Sequence, residues 1–555
     1  MSESATKREA PVDASGPETK RLRMDEDDSV PQASTSSEIT EPPNSSEPTD
    51  ETSKQAEDVE MADVKAAEPS HQKTSEKKAK RTRGRGGRKT RNAEDAAAAA
   101  AGEGEGQEGD GTPKAPRYPK RQCALLIGFC GSGYSGMQIQ PDHARTIEGV
   151  LFQALVKVGA VSQDNADNPV KVGLARAART DAGVHAAGNL VSLKMILTIP
   201  GVKDLVARIN EELPPEIRLW GYNRVQNSFN ARLVCESRKY TYFFPTYLLI
   251  PPKPGSGIHR LWAEKGDQYP GMQPTLSSPF WEGTEESSKE EDLARKRAWR
   301  ASPEHVESLR SLAEKYLGTH NFHNFTVGRE FNDRSNFRYM KKIEVSDPVV
   351  YGDTEWISVL FHGQSFMLHQ IVGKYNYSMG TPARVMSELY GQRSIFVPKM
   401  PALGLLLEEP LFTSYNQRMG VINEKFKPTD PDYRPPIDFD IFRDQINAFK
   451  EQFIYKNMRE IEDRDGLFDA WVRSVDAYAG NDLLYLNSTG SVPDAAVIAK
   501  GTKRTNPFRE KRVFDITSFP GSEEIKKKLE ADEDGDLESD SETKMDKKQL
   551  EETEG

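Results

Sequence analysis

Apolar positions along the chain follow a regular succession of strands and helices once the polar first hundred residues are passed. CALLIGFC (123–130) is a short apolar run ended by GSGYSG, which is typical of a buried strand followed by a tight turn. IEGVLFQALVKVG (147–159) repeats its apolar residues at helical spacing and closes with Gly159. The apolar face consists of Ile147, Val150, Leu151, Leu155 and Val158. The pattern predicts a strand followed by an amphipathic helix.

The same alternation continues to about residue 378 and predicts a mixed α/β core. Ser302 and Pro303 form a helix-start signal, and the helix is predicted to run to about Leu317, with Gly318 as its stop. One further strand is predicted to lead into RTDAGVH, and others are predicted at 189–197, 217–225, 239–244, 339–345 and 355–362. The other predicted helices are at 204–213 and 366–378. The second half thus resembles the first in its order of elements, without an exact sequence repeat.

Shifts in composition divide the chain into six predicted regions. Residues 1–116 are rich in Ser, Glu, Pro, Ala and Lys and hold almost no aromatic residues, so we expect them to be disordered. The remaining regions are an N-terminal half of the core (117–250), a polar insertion (251–300), a C-terminal half (301–429), an extension with a helix near 441–460 (430–520), and an acidic disordered tail (521–555).

The net charge of −11 over 555 residues argues against a nucleic-acid partner only at first sight. Residues 1–116 carry 18 basic and 25 acidic side chains, and residues 521–555 carry 6 and 14. The stretch 117–520 has 51 basic and 47 acidic side chains. The acidity therefore belongs to the tails and does not restrict what the core binds.

One segment of the N-terminal region, KKAKRTRGRGGRKTR (77–91), holds nine basic residues and no acidic one. It suits nuclear import or salt-sensitive contact with phosphates, and a solvated charge run without a dedicated partner is the alternative. We expect a nuclear protein. A mitochondrial form is not supported by this N-terminus, because the acidic residues Glu3, Glu9, Asp13 and Glu18 are foreign to transit peptides.

The chain has three cysteines, which form neither a disulfide framework nor a zinc spacing, so we expect a reducing compartment. It contains no run of 18 apolar residues and no signal-peptide segment in its first thirty residues. These features predict a soluble protein that does not act at a membrane.

The segment richest in candidate chemistry is ARAARTDAGVHAAG (175–188). Asp181 lies there between two apolar strands, beside Gly183, where the backbone can turn sharply. Taken alone, an Arg-Thr-Asp triplet is more often a helix cap or a surface turn than a catalytic site.

Several blocks in the same order resemble the TruA family of pseudouridine synthases. RTDAGVHA is similar to that family's catalytic loop, and the resemblance covers roughly residues 120–420. The other blocks are GYSGMQ (133–138), INEELPPEIR (209–218), FNAR (229–232), RKYTY (238–242), GTHNFHNFT (318–326), GQSFMLHQI (363–371) and PALGLLLE (401–408). The last three resemble the eukaryotic branch of the family.

The resemblance implies an enzyme that isomerises uridine to pseudouridine in RNA without a cofactor or a metal. It implies an α/β (α+β) fold of two ferredoxin-like halves that form one continuous, mostly antiparallel sheet with flanking helices and a central cleft. Asp181 would be the nucleophile, and attack at C1′ and assistance through the 2′ position both stay open. Tyr240 would stack on the base, and Arg179 would fill the space left by a flipped uridine.

We interpret three histidines, His185, His320 and His323, as structural residues. His185 is expected to be a structural neighbour of the site. His320 and His323, in the segment HNFHNF, suggest a metal cluster at first glance but lack further ligands at a usual distance, so loop packing near the cleft is preferred.

The chain departs from the family pattern after Ile371. An Arg-Lys-Met is expected there, but Ile371 joins directly to Val372 and Gly373. The arginine that would pair with Asp181 is therefore missing, and Lys374 is the nearest candidate replacement. A carboxylate without its cation among apolar walls is expected to have a raised pKa and weaker nucleophilicity.

Three functions remain under consideration. The first is a pseudouridine synthase acting on tRNA, with mRNA and snRNA as additional substrates, and a monomer is expected. The second is an RNA-binding or chaperone protein with weak or no turnover. The third is a chromatin or nucleolar binder that acts through residues 77–91.

Overall fold

The protein is built around one ten-stranded sheet, which confirms the predicted mixed α/β class. The structure, a computed structural model, describes residues 118–140, 144–272, 278–326, 328–367, 369–371 and 383–499. The strands are β1 (Lys120–Phe129), β2 (Ala175–Arg176), β3 (His185–Ile196), β4 (Ile217–Arg224), β5 (Ser237–Pro245), β6 (Gly318–Asn321), β7 (Phe337–Val345), β8 (Val349–Tyr351), β9 (Thr354–Gly363) and β10 (Leu405–Leu411).

The order across the sheet is β4-β1-β3-β10-β5-β9-β7-β6, with β2 paired to β3 and β8 paired to β9. All the pairings are antiparallel except that of β10 with β3. Strand β10 comes late in the chain yet lies between β3 and β5. It therefore inserts into the first half and makes the two predicted halves one continuous sheet.

The α-helices of the described residues are α1 (Ile147–Val158), α2 (Leu205–Glu212), α3 (Ala231–Val234), α4 (Gly257–Lys265), α5 (Lys289–Ala298), α6 (Pro303–Glu314), α7 (Ala383–Leu389), α8 (Thr413–Asn423), α9 (Arg443–Phe449), α10 (Lys456–Asp465) and α11 (Leu467–Ala477). A π-helical segment, Lys450–Tyr455, joins α9 to α10. None of the described helices is long and apolar enough to cross a membrane.

Local sequence explains where the two best-predicted helices begin and end. Thr146 caps α1, and its side chain accepts a hydrogen bond from the Gly149 N–H, while Gly159 ends the helix in the left-handed region at φ 86°. Ser302 caps α6 and Pro303 occupies its first turn, as predicted. Helix α6 ends at Glu314, three residues earlier than expected, because the chain turns there to enter β6.

The polar segment 251–300 contains α4 and α5 and is tied to the extension by buried charges. Lys296 on α5 forms a 2.8 Å ion pair with Asp469 on α11, and both side chains are at most 5 % exposed. Lys253 pairs with Asp292 at 2.7 Å. Pairing allows these charges to be buried, because a buried charge is tolerated when it is paired.

The predicted helix near 441–460 corresponds to α9, the π-helical segment and α10, which cross one face of the sheet. A Cβ at Gly221 would lie 2.6 Å from the Phe442 ring, so only glycine permits this approach. Further along, Tyr455 packs on Phe243 of β5, with ring centroids 4.8 Å apart. Lys450 also pairs with Glu408 of β10 at 2.8 Å.

Three predictions fall wholly or mostly outside the described residues. These are the disorder of 1–116, the acidic tail 521–555, and most of the helix predicted near 366–378. Of that last stretch, Phe366, Met367 and 369–371 are described; none of them is helical, and 369–371 form a turn.

Candidate active site

Asp181 lies on the loop that joins β2 to β3, and an asparagine on β3 holds this loop against the sheet. The Asn189 side-chain amide donates to the Ala178 carbonyl at 2.9 Å, and its carbonyl oxygen accepts from the Ala178 N–H at 3.2 Å and the Leu190 N–H at 2.9 Å. Asn189 is fully buried. A single side chain thus replaces the ladder hydrogen bonds that Ala178 would have made in a regular strand.

A second side chain, from strand β5 of the same half, also holds the loop. Arg238 of β5 donates from Nε and Nη2 to the Ala177 carbonyl at 3.1 and 2.6 Å. Arg238 is 4 % exposed. Since β10 lies between β3 and β5, this arginine reaches over one strand to fix the entrance to the Asp181 loop.

The GYSGMQ segment supports the loop from its other side. The Met137 N–H donates to the Thr180 carbonyl at 3.1 Å. Gly136 has φ +89°, and a Cβ there would lie 2.9 Å from the Thr180 oxygen, so both its conformation and the close contact require glycine. Two of the blocks that carried the resemblance therefore contact each other beside Asp181.

Glu148, in the first turn of α1, links these segments electrostatically. Its fully buried carboxylate accepts from the Ile139 N–H at 3.2 Å and pairs with Arg176 of β2. Burial raises the pKa of Glu148, and the charges of Arg176 and Arg179 act against this rise. The Arg179 guanidinium therefore lies within electrostatic range of Glu148.

Tyr240 lies on β5, two residues after Arg238, and packs edge-on against Phe366 with ring centroids 5.0 Å apart. It is 7 % exposed. Burial raises the pKa of Tyr240 to about 12, and the negative charge of Asp181 acts in the same direction. The phenol is therefore protonated at neutral pH and has Asp181 in its surroundings.

The Asp181 carboxylate lies on the open side of the loop, with 52 % of its side chain exposed. The expectation that apolar walls enclose it is wrong for the described residues. The bonds that hold the loop are made by the backbone groups of Ala178, Thr180 and Asp181, and the Asp181 carboxylate is not among the groups that make them. The His369 Nε2 atom lies 3.8 Å from Asp181 Oδ2.

His369 is nearly buried, and its φ of 66° is in the left-handed region. Burial lowers the pKa of His369 well below its usual value, and the charge of Lys399 adds to this effect. The imidazole is therefore neutral at pH 7 and offers Asp181 a polar neighbour without a positive charge.

Comparisons with known proteins show the family to which the chain belongs. The tRNA pseudouridine synthase 1 of Candida glabrata is 40 % identical to this chain over 415 residues, which are 67 % of this chain and 73 % of the relative. The chain belongs to the TruA family of pseudouridine synthases. It is therefore an isomerase that acts on RNA.

Two further relatives of the synthase extend the comparison. The tRNA pseudouridine synthase 1 of Schizosaccharomyces pombe is 34 % identical over 487 residues, 69 % of this chain and 89 % of the relative. The tRNA pseudouridine(27/28) synthase of Saccharomyces cerevisiae is 36 % identical over 391 residues, 64 % of this chain and 99 % of the relative. No protein-family model matches the chain.

His185 is a structural residue of the synthase, as expected. The Gly131 N–H donates to its Nδ1 at 3.1 Å, and its Nε2 donates to the Leu403 carbonyl at 3.2 Å. Burial lowers the pKa of His185 to about 4. The neutral ring ties β3 to the segment before β10, which places Asp181 relative to the second half.

The histidines of HNFHNF pack among aromatic rings, which agrees with the preferred interpretation. The His320 ring stacks on Tyr390, with centroids 4.2 Å apart and planes at 12°. The His323 Nε2 atom is 2.7 Å from the Gly391 carbonyl oxygen. Among the residues that the structure describes, no cluster of His, Cys, Asp and Glu could hold a metal ion.

The structure brings Asp181, Tyr240 and Arg179 to one region, around residues that the sequence did not single out. Asn189, Arg238, Glu148 and Phe366 were missed as functional residues. Arg238 lies within the RKYTY block, but nothing in its local sequence indicates that it reaches over β10. The arginine expected after Ile371 is absent from the sequence. Its candidate replacement, Lys374, belongs to residues 372–382, which are outside the described residues.

Proposed function

We propose that this synthase isomerises uridine to pseudouridine in tRNA, with the Asp181 carboxylate as its nucleophile. The observation that carries the proposal is the Asp181 loop, which Asn189, Arg238 and Met137 hold beside Tyr240. The names of the relatives support tRNA as the substrate. They do not favour the alternative of an RNA-binding protein that has lost turnover.

The reaction breaks the bond between C1′ and N1 of uridine and forms a bond between C1′ and C5. Cleavage builds positive charge on the ribose, which a carboxylate stabilises by charge or by covalent attack. The Asp181 side chain, which is 52 % exposed, suits this role because an extruded nucleotide has to meet an accessible carboxylate. The uracil then turns within the site and bonds to the sugar through C5.

We propose that Tyr240 stacks on the detached base during this rotation; since its ring is 7 % exposed in the free protein, RNA binding has to uncover more of it. Because its pKa is about 12, it stays protonated at neutral pH and acts as a stacking group and hydrogen-bond donor. It does not act as a general base near pH 7 unless its surroundings change when RNA binds. Proton removal from C5 is then left to another group.

Arg179, two residues before Asp181, is proposed to occupy the place of the flipped uridine in the RNA stem. A guanidinium plane replaces lost base stacking and also pairs with phosphate. Glu148 lies within electrostatic range of this guanidinium.

We also propose a nuclear monomer with mRNA and snRNA as further substrates.

The proposal is tested by Asp181→Ala, measured for RNA affinity and for pseudouridine formation under single-turnover conditions. We expect unchanged affinity within about threefold and no detectable product, since only the group that contacts the reacting sugar is lost. Asp164→Ala is the matched control, because Asp164 is an exposed aspartate in another loop of the same half. Normal turnover by Asp181→Ala refutes the assignment of the nucleophile.

A further inference from the structure

Strand β7 presents aromatic side chains on the face of the sheet opposite Tyr240. Side chains alternate along a strand, and Met340 points to the Tyr240 side, where a Cβ at Gly363 would contact both Met340 and Phe366. Phe337 and Tyr339 therefore share the other face. They are 48 % and 47 % exposed.

The extension (430–520) covers this face of the sheet at β5 and β8. Phe337 and Tyr339 lie beyond the part that it covers. The extension packs on β5 through Tyr455 and Phe243, and its Arg459 lies over the Tyr351 ring of β8 at 4.5 Å. Because about half of the Phe337 and Tyr339 surface is open to solvent, an apolar and flat area remains available for a ligand.

Two lysines follow these rings along β7, and a third lies two strands away on β5. Lys239 of β5, His362 of β9 and Lys342 of β7 are paired in register across three strands, and the bulge between Met340 and Lys342 adds Lys341. Burial lowers the pKa of His362; the charges of Lys341, Lys239 and Lys342 lower it further, and the charge of Glu409 raises it.

Two carboxylates lie in the same area. Lys342 pairs with Glu344 at 2.6 Å, and Lys239 pairs with Glu409 at 2.8 Å. Both side chains of the Lys342–Glu344 pair are more than half exposed, so the pair is weak. Lys342 can therefore leave Glu344 and contact a strongly acidic ligand. The three lysines outnumber these carboxylates, and the area carries a net positive charge.

We propose that the β7 surface, formed by Phe337, Tyr339, Lys239, Lys341 and Lys342, binds the part of an RNA substrate that extends beyond the active site. Bases that leave the helix would stack on the two rings, and phosphates would contact the lysines. Exposed aromatic residues flanked by cations on a strand are suited to nucleic acid, since every base has a stacking face. The inference rests on the proposed function for the identity of the ligand.

The position of β7 fits a substrate larger than the target stem. Strands lie about 4.8 Å apart, so β7 is roughly 10 Å from β5, which carries Tyr240. Only β6 lies beyond β7 in the order of the sheet. Because the β7 surface is on the face opposite Tyr240, an RNA has to pass around β6, the edge strand, to reach it, whereas a short hairpin that fills the active site does not extend that far.

The test uses the full-length chain with two substrates, an unmodified tRNA transcript and a short hairpin that contains the same target uridine. We expect the double substitution Phe337→Ala and Tyr339→Ala to weaken tRNA binding about tenfold or more while hairpin binding and kcat on the hairpin stay unchanged. Lys341→Ala with Lys342→Ala should weaken tRNA binding and reduce its dependence on salt. Leu233→Ala is the control, because Leu233 is an exposed apolar residue elsewhere, 81 % exposed.

Each other outcome overturns the inference. Unchanged tRNA affinity in both double variants excludes an RNA contact at the β7 surface. An equal loss with the hairpin means that the active site was disturbed. If sedimentation shows that the wild-type chain is a dimer and the aromatic variant a monomer with full tRNA affinity, the surface is a self-interface. Product formed from the hairpin reports on the proposed function separately, so the two failures are distinguishable.

Discussion

Replacing Asn189 by alanine tests whether the geometry of the Asp181 loop, rather than the presence of Asp181 alone, determines the rate. The substitution leaves every proposed reacting group in place. It removes the three hydrogen bonds that Asn189 makes with the backbone of Ala178 and Leu190. The loop then loses its attachment to β3 and keeps only those to Arg238 and Met137, so Asp181, three residues after Ala178, is held less firmly.

The size of the effect follows from burial. Ala178 is 3 % exposed, so its N–H and C=O lose their partner without direct access to water. A buried polar group left without a partner costs about 1–3 kcal/mol, and partial entry of water into the space reduces the sum. We expect a loss of about 2–4 kcal/mol in the free energy of unfolding. Displacement of Asp181 by about 1 Å would lower the rate by roughly 100-fold.

Asn210 provides a matched control within the same half. Its side chain makes the same two-bond contact with the backbone of Leu219, at 2.9 Å in both directions, away from the Asp181 loop. Asn189→Ala and Asn210→Ala are compared by urea unfolding, tRNA affinity and single-turnover product formation at a temperature where both are folded. We expect both variants to lose stability and only Asn189→Ala to lose rate. Turnover of Asn189→Ala within twofold of Asn210→Ala refutes this reasoning.

Two further predictions concern charge. Insertion of an arginine between Ile371 and Val372 should raise single-turnover activity with little change in RNA affinity, because it supplies the cation that the family pattern places beside Asp181. An unchanged rate shows that another cation already pairs with Asp181. Asp476 is buried on α11, and burial raises its pKa to about 7, with Lys296 opposing the rise and Asp469 adding to it. Since its pKa in the unfolded chain is about 4, the stability that its neutral form provides is present below that value and is lost as the pH rises through 7. Asp476→Asn should therefore reduce the loss of stability between pH 5 and pH 8, as measured by urea midpoints, and an identical pH dependence in the variant contradicts this.

Strands and helices with strong periodicity could be predicted from the sequence because their signals are local. Helix α1 carries a cap, an apolar face and a terminal glycine within fourteen residues, Thr146 to Gly159, and it forms at the predicted place. The insertion of β10 between β3 and β5 had no local signal. It depends on pairing between residues more than 150 positions apart, such as Leu407 with Tyr240.

The residues of the candidate site also divide into those with a local sequence signal and those without one. Asp181, Arg179 and Tyr240 came from motifs whose residues are close in sequence or belong to a recognisable block. Asn189 and Arg238 escaped notice because their function is to bind backbone carbonyls of a distant or irregular segment, which any polar residue could do in principle. The exposure of Asp181 was also not predictable, since it depends on which backbone groups of the loop bond to the sheet.

The most direct test of the account is to map pseudouridine in an unmodified tRNA transcript after incubation with the purified chain, by carbodiimide-dependent stops of reverse transcription. The account predicts new stops at defined uridines with the wild-type protein and none with Asp181→Ala at equal RNA occupancy. Stops at the same positions with both proteins, or with neither, would contradict it.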